Sequence, residues 1–225
     1  MVARSMNGLW RLVAGVSTAI VIVGIAAAVL LLPPVMNLGL EIGSSAAILG
    51  VAPEVARRAS ELSVQELLFG PGSFTFEATP GGPPFYGPAE AGHMQNVRVV
   101  VYGFFGLVLA SAVATALSIR PMRGPDALRA IRRGAAGLVL VLSAVGIGLI
   151  LAFDALFTLF HRIVFPGGGW MFDPTTQRIV QLYPTVFWEF AAGMLAGLSV
   201  AIGLLVVAIT TLLLRRMEPR EPTTR

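Results

Sequence analysis

Four long apolar segments dominate this sequence and restrict it to folds that can cross a lipid bilayer. They are residues 12–32, 99–119, 135–160 and 190–214, and the one charged residue within them is Asp154. A helix needs roughly 20 apolar residues to cross about 30 Å of hydrocarbon, so each segment is long enough. With 56% hydrophobic and 12% charged residues, the composition is that of a membrane protein. We therefore predict an all-α membrane protein with four transmembrane helices.

The residue types that are missing exclude several kinds of chemistry. The chain has no cysteine and no lysine. It can therefore have no disulfide framework, thiolate nucleophile, cysteine zinc site or Schiff-base lysine. The first apolar segment exceeds the roughly 7–15 residues of a signal-peptide core, so we interpret it as a retained helix. Pro33 and Pro34 are expected to stop that helix.

The arginines predict how the four helices are oriented. They concentrate near the two chain ends and between the second and third apolar segments, which should therefore be cytoplasmic. This distribution explains a pI near 10.6 without any binding of nucleic acid. The segments 33–96 and 161–189 should then be extracytoplasmic, and 215–225 a cytoplasmic tail. The arginines in question are Arg4, Arg11, Arg120, Arg123, Arg129, Arg132, Arg133, Arg215, Arg216, Arg220 and Arg225.

We predict that the insert 33–96 is a small mixed extracytoplasmic domain between helices 1 and 2. Its stretch EVARRASELSVQELLFG has apolar residues at Val55, Leu62, Leu67 and Leu68, which predicts a short amphipathic helix. The Gly-Pro that follows is a normal helix stop. The next stretch, GSFTFEATPGGPPFYGP, alternates briefly and predicts a short strand followed by an irregular loop.

The two histidines of the chain fall at equivalent places in this topology. His93 lies just before the second apolar segment, and His161 lies just after the third. Both should therefore lie at the outer membrane surface, on consecutive helices that can pack together. We expect the two imidazoles to be neighbours, as a pair of catalytic groups would be. The alternative is that each only anchors its helix end to lipid headgroups.

Four further residues near the histidines are candidates for supporting roles. Asp154 precedes His161 by two helical turns on the same face, about 10 Å deeper along the helix, and an ionisable residue within a membrane segment is a functional candidate. Its alternative role is a structural hydrogen bond to another helix. Glu90 and His93 form an E-x-x-H pair, but metal-binding bundles use two such pairs and this chain has one. We therefore expect no metal. The remaining two candidates are Trp170 and Asp173.

The stretch FPGGGW, residues 165–170, contains three consecutive glycines. It lacks the Lys-Ser/Thr of a phosphate-binding loop and faces outward, so we expect no nucleotide. It is either a flexible turn or a place where backbone N–H groups approach a substrate closely, as glycine permits.

The stretches EAGHMQNVRVV and FDALFTLFHRIVFPGGGWMFDPTTQRIVQLYPTVFWEF resemble the bacterial Lit family of lipoprotein intramolecular transacylases. The second stretch is the more specific of the two. It contains in order the family positions His161, Phe165, Trp170, Asp173, Pro174 and Pro184. The first stretch departs from the family, because Asn96 stands where an aspartate is usual. The glycine turn is also less polar than in the family.

The resemblance implies a specific reaction. Lit-type enzymes move the sn-2 acyl chain of an S-diacylglyceryl group to the α-amino group of the N-terminal cysteine, which gives a lyso-form lipoprotein. The two histidines of the family correspond to His93 and His161. The resemblance implies as partners a diacylated lipoprotein and membrane lipid, with no cofactor, nucleotide or nucleic acid.

This chemistry suits the residues that the sequence provides. A neutral imidazole suits proton transfer, since its pKa lies near 6.5. Backbone N–H groups of residues 167–169 or the indole of Trp170 are candidate oxyanion donors. We expect a multi-pass protein of the bacterial plasma membrane, with both termini cytoplasmic and its active site at the outer leaflet. A membrane metallohydrolase and a non-catalytic four-helix accessory subunit remain the alternatives.

Overall fold

The computed structural model describes residues 2–217, and within that range every regular element is an α-helix. This confirms the all-α prediction. Of the predicted tail 215–225, residues 218–225 lie outside the described residues, and Arg220 and Arg225 with them. The helices are α1 (Val2–Leu30), α2 (Pro33–Ile42), α3 (Ser45–Leu49), α4 (Pro53–Leu68), α5 (Pro88–Ile119), α6 (Gly124–Val164), α7 (Arg178–Leu182) and α8 (Thr185–Met217).

Three helices are long and apolar enough to cross a membrane: Gly8–Leu30 of α1, Pro88–Ile119 of α5 and Thr185–Met217 of α8. A fourth span results if the two parts of α6, Gly124–Gly146 and Leu151–Val164, count together. The sequence predicted one continuous helix over 135–160. Instead, Ala152 has φ −150° and ψ 42°, which is outside the helical region and interrupts the ladder of hydrogen bonds.

The chain forms two compact units. The first consists of the described residues within Met1–Ala26, Phe105–Val145 and Ala196–Arg225. In this unit α1 and α6 approach closely at Gly15 and Gly134, where a Cβ on Gly134 would collide with the backbone of Gly15. Small residues allow such close contact between membrane helices. Arg11 also pairs with Asp126 at 3.2 Å.

The second unit consists of Ala27–Phe104 and Gly146–Leu195. It contains the insert with α2, α3 and α4, together with α7 and the adjoining parts of the long helices. Its core buries apolar side chains from α2, α4, the segment 70–87, α5, α7 and the start of α8: Met36, Leu40, Ala56, Ala59, Leu67, Phe74, Phe85, Tyr86, Ala91, Met94, Ile179, Leu182, Tyr183, Phe187 and Ala191.

Prolines separate α1 from α2, as predicted, and then begin the next helix. Leu32 has extended φ and ψ values of −69° and 139°, and Pro33 occupies the first turn of α2. Proline is favoured there because its missing N–H would have no partner within the helix.

The amphipathic helix predicted in the insert is α4, but its buried face differs from the predicted one. Of the four apolar residues that defined that face, only Leu67 is buried. Small residues fill the rest of it, which lets neighbouring segments approach closely. They are Ala56, Ala59, Ser60 and Ser63.

The predicted strand in the insert is wrong, and with it the mixed α/β character of this region. The described segment 70–87 is irregular. The N–H groups of Gly72 and Ser73 donate to the Glu66 carboxylate, at 2.8 and 2.9 Å. A lone strand would leave such groups without a partner, and here a side chain from the end of α4 satisfies them.

Candidate active site

His93 lies in the second turn of α5 and is largely buried in the second unit, with a 9% exposed fraction. The ring centroids of Phe165 and Phe172 lie 5.0 and 5.4 Å from its imidazole centroid. Neither neighbour offers a hydrogen-bonding group, so His93 lies in apolar surroundings. Its ring nitrogens make no hydrogen bond to another of the described residues.

His161 lies near the end of α6, and a hydrogen bond fixes its tautomer. Its Nδ1 lies 2.8 Å from the backbone carbonyl oxygen of Phe157. A carbonyl oxygen can only accept, so Nδ1 must carry the hydrogen. In the neutral imidazole, Nε2 then has the free lone pair. The hydrogen bond therefore fixes the orientation of the ring and leaves Nε2 free to accept a proton.

The two imidazoles are neighbours, which confirms the expectation from topology. Their ring centroids are 6.4 Å apart and their planes are inclined by 23°. A group of atoms placed beside both rings could exchange a proton with one and accept a hydrogen bond from the other.

Five aromatic rings surround the histidine pair, and we call them the aromatic enclosure. The members nearest His161 are Phe157 and Trp170, whose ring centroids are 4.1 and 4.9 Å from its own. These rings supply an apolar surface next to the two imidazoles, with Phe165 buried and Phe160 51% exposed. The enclosure consists of Phe157, Phe160, Phe165, Trp170 and Phe172.

The glycine stretch forms the turn that brings Trp170 back to His161. Gly168 and Gly169 have φ values of +78° and +73°, a conformation that favours glycine. The N–H of Gly168 donates to the carbonyl oxygen of Phe165 at 3.0 Å. That N–H is therefore already used within the turn. Gly167, Gly169 and the Trp170 indole remain as candidate donors to a substrate.

Glu90 is buried close to His93 but has a positioning role. One carboxylate oxygen accepts from the N–H of Gly87 at 2.7 Å, which caps the start of α5. The other accepts from the N–H of Ile179 in α7 at 2.8 Å. The carboxylate thus ties the helix that carries His93 to the segment that follows Trp170.

We expect Glu90→Ala to lower the free energy of unfolding by about 2–4 kcal/mol, because it leaves two N–H groups without their charged acceptor. Thermal unfolding in a mild detergent measures this. The matched control is Glu54→Ala, which removes an exposed ion pair with Arg57. Such a pair contributes about 0–1 kcal/mol. Equal effects of the two substitutions would contradict the role given to Glu90.

The structure does not bring the two aspartates to the histidine pair. Asp154 is exposed, and its carboxylate makes no hydrogen bond or ion pair to other residues within 2–217. Asp173 accepts from the N–H and the hydroxyl of Thr175, at 2.8 and 2.7 Å. These bonds lower the pKa of Asp173. Its described contacts form the turn before α7.

Sequence reasoning missed a buried hydroxyl network behind the site. The Ser63 hydroxyl donates to the carbonyl oxygen of Ala59 at 2.7 Å, so the Tyr86 hydroxyl must donate to Ser63, at 2.8 Å. The Tyr183 hydroxyl donates to Ser60 at 3.2 Å. Burial raises the pKa of both tyrosines, so both stay protonated as donors. The sequence signal for this network was the tyrosine in each of the stretches FYGP and LYP, because a buried tyrosine hydroxyl usually has a hydrogen-bond partner.

Comparison with known proteins identifies the family. The family model of the lipoprotein intramolecular transacylase Lit matches residues 69–188, more than half of the 225-residue chain. This chain belongs to the Lit family. It is thus placed among acyltransferases that act on lipoproteins. The matched region includes both histidines and the whole aromatic enclosure. No curated protein sequence matches the chain.

Solved structures of Lit from Bacillus cereus share the fold of this Lit-family chain. One, described as a membrane integral protein, has a TM-score of 0.78 at 16% identity over 94% of this chain and 97% of the other. A variant with a histidine-to-alanine substitution has a TM-score of 0.74 at 15% identity, over 95% and 96%. At this identity the likeness supports the fold alone, and the chain is a multi-pass membrane protein.

Among the described residues 2–217, no group of three or more His, Cys, Asp or Glu side chains is arranged to hold a metal ion. The catalytic roles of the two histidines in this Lit-family chain remain a prediction.

Proposed function

We propose that this chain moves the sn-2 acyl chain of an S-diacylglyceryl lipoprotein to the α-amino group of its N-terminal cysteine. The product is a lyso-form lipoprotein. The observation that carries the proposal is the pair of neighbouring imidazoles inside an aromatic enclosure, in a chain of the Lit family. Because donor and acceptor belong to one substrate molecule, correct orientation alone can lower the activation barrier by several kcal/mol. Proximity effects can contribute roughly 7–11 kcal/mol in total.

His161 is the proton carrier in this proposal. Its Nε2 has the free lone pair, because Nδ1 donates to the Phe157 carbonyl. As the amine attacks the ester carbonyl, Nε2 accepts the proton from nitrogen. It then delivers that proton to the sn-2 oxygen of the glyceryl group as the C–O bond breaks. One C–N bond forms, one C–O bond breaks and one proton moves from nitrogen to oxygen, so no cofactor is required.

His93 stabilises the negative charge that develops on the carbonyl oxygen. A neutral imidazole always has one N–H, and that of His93 has no acceptor among the described residues. With their ring centroids 6.4 Å apart, the two imidazoles are close enough for one ester group to contact both. The Trp170 indole is a second N–H donor beside His161.

The aromatic enclosure favours transfer over hydrolysis. A water molecule that reached the ester would release a fatty acid instead of forming the amide. Rings packed around both bases, with Trp170 4.9 Å from His161, limit the places where such a water could be held. The same rings offer an apolar surface to the acyl chains of the substrate.

The direct test of the proposed function is conversion of a synthetic diacylated lipopeptide by the purified protein in detergent or nanodiscs. Formation of the lyso-form with the histidines intact supports it. An unchanged lipopeptide, under conditions where the protein remains folded, would contradict it.

We also propose that the histidine pair lies at the outer leaflet of the bacterial plasma membrane, with both termini and the turn between α5 and α6 in the cytoplasm. The arginine distribution supports this orientation. In intact cells, a membrane-impermeant maleimide should label Pro83→Cys and should not label Pro121→Cys. Both prolines are exposed and lie outside helices, which makes them a matched pair in a chain without natural cysteine.

After solubilisation in detergent, both variants should be labelled equally. Labelling of Pro121→Cys but not of Pro83→Cys in intact cells would reverse the orientation. It would then place the histidines away from a substrate in the outer leaflet.

A further inference from the structure

A groove of about 690 Å³ lies between α1 and α6 within the first unit. Its volume is in the range of ligand-binding sites, and its walls are mostly apolar. The proposed function does not use it. Its lining includes Arg11, Val16, Ile20, Arg133, Leu138 and Val141.

Glycines give the groove its depth. Gly15 and Gly134 bring the two helix backbones into contact at the floor. Gly137 also lines the groove, and a Cβ placed there would meet no atom within 4 Å. The space above Gly137 is therefore open, although the helices beside it are closely packed.

Both charged residues of the groove lie toward one end, and they differ in their partners. Arg11 pairs with Asp126 at 3.2 Å. Arg133 is exposed and has no ion pair within the described residues 2–217. From Arg133 to Val141 the helix advances about 12 Å at 1.5 Å per residue, and the lining along this length is apolar.

We infer that this groove binds one anionic phospholipid. The headgroup phosphate pairs with the Arg133 guanidinium, and an acyl chain lies along Val16, Ile20, Leu138 and Val141. The positive charge of Arg133 matches the negative charge of a lipid phosphate, and the apolar groove beyond it matches an acyl chain. A purely apolar contact with a second copy of the chain would leave Arg133 without a partner. The inference does not depend on the transacylase reaction.

Native mass spectrometry of the detergent-solubilised protein, with equal amounts of phosphatidylglycerol and phosphatidylcholine, tests the inference. We expect preferential retention of one phosphatidylglycerol per chain. Arg133→Gln should weaken that retention about five-fold, the effect of one arginine near a charged membrane surface. Arg132→Gln is the matched control, because it removes the same charge one residue away and does not line the groove.

A second variant tests the groove itself. Gly137→Leu should fill the open space and abolish retention without unfolding the protein. Gly197→Leu on α8, where a Cβ is equally free, is its control. Three results would overturn the inference: equal retention of the two lipids, equal weakening by Arg132→Gln, or a dimer that Gly137→Leu dissociates. The last would identify a second copy of the chain as the occupant.

Discussion

Replacing His161 by Gln should lower the rate of lyso-lipoprotein formation by about 10²–10⁴-fold, the usual contribution of a general base. Glutamine keeps a similar length and can still hydrogen-bond, but it cannot carry the proton from the amine to the leaving oxygen. His93→Gln should slow the reaction less than His161→Gln, because glutamine keeps an N–H donor but places it differently from the imidazole N–H next to the developing oxyanion. Rates measured with a diacylated lipopeptide, at equal amounts of folded protein, give the comparison.

Two further variants distinguish a catalytic pair from two separate anchors. Groups that act together are not additive, so the double glutamine variant should be little slower than the slower single variant. Asp154→Asn is the matched control on the same helical segment as His161, because its side chain is exposed and apart from the pair. It should remain near the wild-type rate. Full activity of both single glutamine variants would instead assign the histidines to lipid headgroups.

The product should have the same mass as the substrate, with its N-terminal amine blocked. If the cysteine amine is the nucleophile, the acyl chain stays on the molecule and only changes position. If water is the nucleophile, one fatty acid is released and the amine stays free. Tandem mass spectrometry of a purified reaction separates these outcomes, because it locates the acyl chain on nitrogen or on the glyceryl group.

A substrate with an acetylated amine is the matched control for this prediction. It keeps both ester bonds but has no nucleophile, so it should not react at all. A strong chelator should leave the rate with the normal substrate unchanged. Release of fatty acid from the acetylated substrate would establish a hydrolase. Loss of activity with chelator, restored by zinc, would establish a metalloenzyme.

The membrane helices could be predicted because long apolar segments have few alternative structures. A backbone in hydrocarbon must satisfy its own hydrogen bonds, so about 20 apolar residues imply a helix. The interruption of α6 was missed because alanine is a good helix former, although Gly146 and Gly148 lie just before the break and glycine weakens a helix. The strand prediction in the insert failed because alternating apolar and polar residues indicate a strand only where a second strand can pair with it. Here the Glu66 carboxylate accepts the backbone hydrogen bonds instead.

The proximity of the histidines could be predicted because topology alone places both at one level. The roles of the acids could not, because they depend on distant partners. Glu90 reaches Ile179 across 89 positions of sequence. The Asp173 carboxylate accepts hydrogen bonds from Thr175, only two residues away. From the sequence, an aspartate in such a turn is hard to distinguish from an aspartate in an active site.

The link between Glu90 and Ile179 affects how a bulky substrate can enter. The segment 165–177 continues directly from α6 at its start and is tied to α5 by that carboxylate just after its end. A segment fixed at both ends cannot rotate away from the site about a single hinge. Any movement is restricted to the residues between the two ends, which include Gly168 and Gly169 with their positive φ values, next to Trp170. In the proposed reaction, a lipoprotein substrate then has to pass beside this tethered segment to reach the imidazoles.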